Sequence, residues 1–159
     1  MPHRIVAINI DDDGRSAPTP EMEQERRVAV LDLLEQNRFV LPPRDGREME
    51  GPWRLSLGLR DRRLVFAVAS EAGEPVGEFH LALGPFRQAV KDYFQICESY
   101  YDAVRRLPPS QIETIDMARR GIHNEGARIL QERLEGKVGL DQDTARRLFT
   151  LICVLQWEG

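Results

Sequence analysis

The sequence predicts an α+β domain, an antiparallel sheet of three to four strands packed against about four helices, with a helical C-terminal half. Three observations carry this expectation. Between residues 53 and 83, apolar and polar residues alternate in three consecutive runs separated by turn residues, the pattern of an antiparallel meander. From Gly84 onward the apolar spacing changes to threes and fours, the period of helices. No internal repeat, low-complexity segment or long linker interrupts either pattern, so residues 1–159 are expected to form a single domain.

In chain order, Ile5, Val6, Ala7, Ile8 and Ile10 form a short β-type run, ended by Asp11-Asp12-Asp13-Gly14. Thr19-Pro20-Glu21 is a helix start: a capping hydroxyl, a proline at the first helical position and an acid at the positive helix end. This helix is expected to reach about Asn37 and to be deeply buried, because Val28 to Leu34 is apolar on most sides. Leu41-Pro42-Pro43 and Asp45-Gly46 break the chain. Trp53, Leu55, Leu57 and Leu59 then alternate with Arg54, Ser56, Gly58 and Arg60, a half-buried strand. Asp61-Arg62 turns into Leu64–Ala69, apolar on both faces and so expected at the centre of the sheet. Ala72-Gly73-Glu74-Pro75 turns again, into a strand carrying Phe79, Leu81 and Leu83.

Gly84-Pro85 opens a helix in which Phe86, Val90, Tyr93, Cys97, Tyr100, Val104 and Leu107 form a packing seam that ends at Pro108-Pro109. Ser110 to Glu113 reads as a capping box for the next helix, with Ile115, Ala118, Ile122, Gly126 and Ile129 on one face and a stop near Gly136. Asp141 can cap a last helix with Ala145, Leu148, Phe149, Ile152 and Leu155 inward.

Composition excludes several function classes. Hydrophobic residues make up 42% and charged residues 30% of 159, ordinary values for a globular domain. A chain of this size buries roughly 70% of its unfolded surface and needs neither disulfides nor metal to fold. No apolar run approaches the ~20 residues of a membrane span, and MPHRIVAINI lacks the apolar core and cleavage site of a signal peptide. A cytoplasmic protein without membrane contact is expected. The net charge is −4, with no positive excess in either half, so nucleic-acid binding is disfavoured. Two cysteines, at 97 and 153, and three histidines, at 3, 80 and 123, have no paired ligand spacing, so no metal is expected. The two cysteines read as reduced core residues. Asp11-Asp12-Asp13 reads as a solvated turn rather than a cation site. No phosphate-cradling loop, nucleophile elbow or dinucleotide fingerprint is present, and no cofactor is expected.

The most informative stretch is residues 116–126, which places Gly121 and Gly126 inside a predicted helix at about 1 kcal/mol each relative to Ala. Such a cost is accepted where another backbone or a ligand approaches closely. At 100° per residue, Asp116, Arg120 and His123 share one side with Arg119 near its edge, while Glu125 projects opposite His123. Asp116 can pair with Arg120, and Arg119 can reach His123. These four residues are the candidate catalytic set: arginines for an anion, His123 for acid–base work. The structural alternative has the glycines admitting a neighbouring helix and the polar groups edging the core. Arg119-x-x-x-His123 is faintly similar to the Arg/His motif of all-helical RNA-cleaving domains of the HEPN type, but a sheet-rich first half does not fit that fold. Tyr93, Phe94, Tyr100, Tyr101 and Trp157 fill a core or anchor an interface.

The chain resembles the uncharacterised alphaproteobacterial protein family UPF0262. The resemblance rests on Glu25-Arg26 to Leu34, Leu64-Val65-Phe66, Tyr93-Phe94 to Tyr100, residues 115–127 (IDMARRGIHNEGA), residues 130–134 (LQERL) and residues 143–153 (DTARRLFTLIC). It implies a small cytosolic bacterial protein and carries no assigned activity, substrate or catalytic residues. The residues themselves favour a non-enzymatic interaction or regulatory protein, acting on a protein partner or as a homodimer. The alternative is a hydrolase or phosphoryl- or RNA-processing enzyme using the Arg/His set, which requires those residues to line a concave surface. A ligand site between sheet and helices is a third option.

Overall fold

The structure is a computed structural model that describes residues 3–11 and 19–157. Its elements are β1 (Ile5–Asp11), α1 (Pro20–Glu35), β2 (Phe39–Val40), β3 (Trp53–Arg60), β4 (Arg63–Ser70), β5 (Pro75–Ala82), a 3₁₀ turn (Gly84–Phe86), α2 (Arg87–Arg106), α3 (Pro109–Arg133), β6 (Gly139–Leu140) and α4 (Gln142–Leu155). The α+β class and the helical C-terminal half stand as expected. Asp12, Asp13 and Gly14, where a turn was expected, lie outside the described residues.

The sheet has the order β1-β3-β4-β5. The β3-β4-β5 meander is antiparallel, with Leu55 opposite Val68, Leu57 opposite Phe66 and Leu64 opposite Leu81. Those residues and Trp53 form the buried face. The wholly antiparallel sheet is corrected at one edge: β1 pairs with β3 in parallel. Alternation within a strand fixes which face is buried and carries no information on strand direction, which α1 sets here by crossing back between β1 and β3. Asp61 and Arg62 both take positive φ, 53° and 64°, in the two-residue β3–β4 turn, a geometry that matches the twist of the flanking strands.

α4 is the central helix. Its residues from Leu148 to Leu155 are all buried, and it packs against α1, α3 and β3. Asp141 caps it by accepting the Thr144 N–H at 3.0 Å. α2 and α3 form a hairpin, and α3 packs on α4. The β2–β6 pair (Phe39 opposite Leu140) ties the end of α1 to the start of α4. Asn37 adds a clasp: its side chain donates to the Ile5 and Leu33 carbonyls at 2.9 and 2.8 Å and accepts the Ile5 N–H at 2.7 Å.

Four local expectations are corrected. α1 is capped as foreseen, with Thr19 Oγ1 accepting the Met22 N–H at 3.2 Å, but it buries only Met22, Glu25, Ala29 and Leu33. Val28 and Leu31 are exposed, because only one side of α1 meets α4. The α2 seam holds through Cys97 and then shifts to Ala103, leaving Val104 and Leu107 exposed where the hairpin runs beyond the core. α3 begins at Pro109, whose ring sets the first helical φ without needing an N–H, so Ser110 falls inside the helix and makes no cap. α3 buries only Gly126, Ala127 and Leu130; its first half stands clear of the core and Ala118 is exposed.

Candidate functional site

α1 and α3 both lean on α4 without packing closely on each other, which leaves a groove between them. Its volume is about 540 Å³. Asp116, Arg119, Arg120 and His123 all line it, so the four residues singled out in the sequence share one concave surface. Arg146, Arg147 and Thr150 of α4, Tyr100 and Tyr101 of α2, and Gln24, Glu25, Val28 and Asp32 of α1 complete the lining.

Glu25 organises the deep end. Its carboxylate accepts from the Tyr93 hydroxyl at 2.7 Å, the Tyr101 hydroxyl at 2.8 Å and Nη2 of Arg119 at 2.5 Å. One buried carboxylate therefore joins α1, α2 and α3. Burial works against its charge, but the Arg119 guanidinium and the two phenols outweigh that and hold it below the usual carboxylate range. Burial likewise opposes the Arg119 charge and Glu25 more than restores it. Arg119 also lies over the Tyr100 ring, 5.0 Å from its centroid. Burial beside this carboxylate pushes the Cys97 thiol up to about 11, so it is protonated and inert at neutral pH.

Arg119 thus turns to Glu25 rather than to His123. The helical wheel gave its direction, but not the acceptor waiting on α1. Arg120 does pair with Asp116, at 2.9 Å. Its side chain is largely exposed, and such surface pairs exchange readily. Arg146 pairs with Asp143, and Arg147 donates to the Gln36 carbonyl at 3.0 Å. Glu125, opposite His123 on the wheel, pairs with Arg128 on the outer surface.

His123 packs 5.4 Å from the Tyr93 ring. Its Nε2 lies 3.4 Å from Thr150 Oγ1, whose single proton goes to the Arg146 carbonyl at 3.2 Å. Burial, with the Arg119 charge added, lowers the His123 pKa to about 4. The unfolded chain, with the ordinary value of ~6.5, then takes up the proton first. This contribution is complete above about pH 6.5 and falls by about 3 kcal/mol as pH drops towards 4. His123→Gln is expected to flatten that stretch of a denaturation-versus-pH curve; an unchanged slope in the variant would place the effect elsewhere.

Sequence reasoning missed Glu25, Arg146, Arg147 and Thr150. Glu25 left one readable signal: Met22, Glu25, Ala29 and Leu33 are spaced 3, 4 and 4, so the acid occupies an inward position of α1.

Comparison with known proteins gives a consistent result. The profile of the family described as "Uncharacterised protein family (UPF0262)" matches residues 2–158. A UPF0262 protein of Roseobacter denitrificans is 71% identical over 157 residues, covering 98% of this chain and 99% of its own length. One from Cereibacter sphaeroides is 69% identical over 156 residues (98% and 99%), and one from Paracoccus denitrificans is 67% identical over 154 (96% and 95%). No solved structure matches the chain significantly.

Proposed function

The chain belongs to the UPF0262 family, whose description carries no activity, and on that premise we propose that it is a small cytoplasmic regulatory protein that docks an acidic, apolar-anchored segment of a partner protein in the α1–α3–α4 groove. One observation carries this reading. The groove sets Arg120, Arg146 and Arg147 beside Val28 of α1, an apolar side chain 42% exposed, and the rings of Tyr100 and Tyr101. Exposed apolar groups ringed by arginine are the composition of an interface rather than of a solvated surface. Leu31 on α1 and Met117 on α3, each 63% exposed, add apolar surface on the same two helices outside the groove lining.

The geometry fits catalysis less well. Arg119, Arg120 and His123 do line a concave surface, as an Arg/His hydrolase needs. Arg119, however, is committed to Glu25, and His123 with a pKa near 4 is uncharged at neutral pH, leaving no histidine proton donor there.

The test is a quantitative pull-down from the cells that make the protein, comparing the wild type with the groove variant Val28→Ser/Arg120→Ala and with Arg63→Ala on the far face of the sheet. A partner held by the wild type and Arg63→Ala, lost at least about tenfold by the groove variant, and bound again as a synthetic acidic peptide from that partner, is the expected result. Equal capture by all three proteins, or capture only of further copies of this chain, would overturn the docking reading.

A further inference from the structure

We infer that a second cavity, on the opposite side of Tyr101 from the groove, is a binding site for a small organic cation of the alkylammonium class. The cavity has a volume of about 930 Å³ and lies between the start of α1, the middle of α2 and Trp157. Phe94 and Trp157 form its aromatic corner, with ring centroids 5.1 Å apart and planes at 75°. The pair is T-shaped, edge to face, so an alkylated ammonium in the cavity would meet the face of one ring and lie beside the edge of the other, the negative π-face drawing its charge while the rings cover its carbons. Tyr101 adds to the wall and keeps its hydroxyl on Glu25.

The charge around this corner has the matching sign. Glu21, Glu98 and Asp102 line the cavity with one cation, Arg105; Asp102 is paired with Arg106 on its own helix, so Glu98 supplies the uncompensated charge. Arg105 bonds Glu21 at 3.2 Å with most of its side chain in water, a pair that costs little to loosen. Glu98 makes no ion pair among the described residues and stands available for a ligand. Glu21 also offsets the positive end of α1, which would otherwise repel a cation. An anion meets the opposite field here, and a neutral apolar ligand leaves Glu98 unused.

The chain has two tryptophans, so its ¹H–¹⁵N spectrum has two indole N–H signals. Trp53, buried in the sheet, is the internal reference for Trp157. Tetramethylammonium chloride, at constant ionic strength, is expected to shift the Trp157 signal saturably and leave Trp53 in place, while tert-butanol of the same shape does not. Glu98→Gln, at an exposed position that leaves the fold intact, is expected to weaken the apparent affinity about three- to tenfold. Arg120→Ala, in the other groove, is expected to leave it unchanged. A shift that does not saturate, an equal response to tert-butanol, or wild-type affinity in Glu98→Gln would overturn the site.

Discussion

Glu25→Ala is expected to lower the free energy of unfolding by about 3–5 kcal/mol, the cost of stranding a buried charge. The residue is 8% exposed, and its loss removes the acceptor of Tyr93, Tyr101 and Arg119 together. The Arg119 guanidinium would be left with Asp116 at 4.0 Å. Urea denaturation followed by circular dichroism measures the loss. The double variant Glu25→Met/Arg119→Leu separates charge from packing: with both desolvated charges gone, most of the stability is expected to return. A double variant as unstable as Glu25→Ala would show that the ion pair is not the source. The wild-type pair also has an acid limit. A carboxylate held below its unfolded pKa contributes above that value and loses its contribution as pH falls through the folded one, so this decline begins at the acid end of the His123 window and continues below it.

The two glycines of α3 are expected to respond in opposite directions. A Cβ on Gly126 would sit about 2.5 Å from Cδ1 and Cε2 of Phe149, a fully buried ring in α4. Overpacking of this kind costs ~1–3 kcal/mol or more, against a gain of ~1 kcal/mol in helix propensity. Gly126→Ala is therefore expected to lower the melting temperature by about 5 °C, for a net loss near 2 kcal/mol. Gly121 has nothing within 4 Å of the same added atom. Gly121→Ala is expected to raise stability by up to about 1 kcal/mol. Parallel thermal melts decide the matter, and a stabilised Gly126→Ala protein would show that α3 does not sit on Phe149.

That pair also shows what was legible in the sequence. Both glycines were readable as exceptions inside a helix, but only the position of Phe149 separates a close approach from an open surface. The meander was legible because its alternation is local: Trp53, Leu55 and Leu57 select the buried face without reference to any other element. The parallel pairing of β1 was not, since it depends on where α1 lies. Asp116, Arg119, Arg120 and His123 could be placed on one side of a helix by periodicity alone. Their partners Glu25, Tyr101 and Thr150 lie on three other helices, and no spacing within α3 points to them. Val28 and Leu31 misled for the same reason: an apolar run states what a helix could bury, and the neighbour that would cover it is a property of the fold.

The order in which the chain is made meets the order in which its parts find each other. Among the described residues β1 pairs only with β3, so Ile5 waits for Trp53, 48 positions later. α1, the first helix to be synthesised, packs on α4, the last. β1 stays open to other partners until β3 has left the ribosome, and α1 cannot complete its native contacts until α4 has. A chain halted before α4 therefore lacks one helix and also leaves α1, α3 and β3 without the element they pack against. Incomplete copies of this protein are expected to be handled as unfolded chains and removed, rather than to accumulate as partly functional fragments.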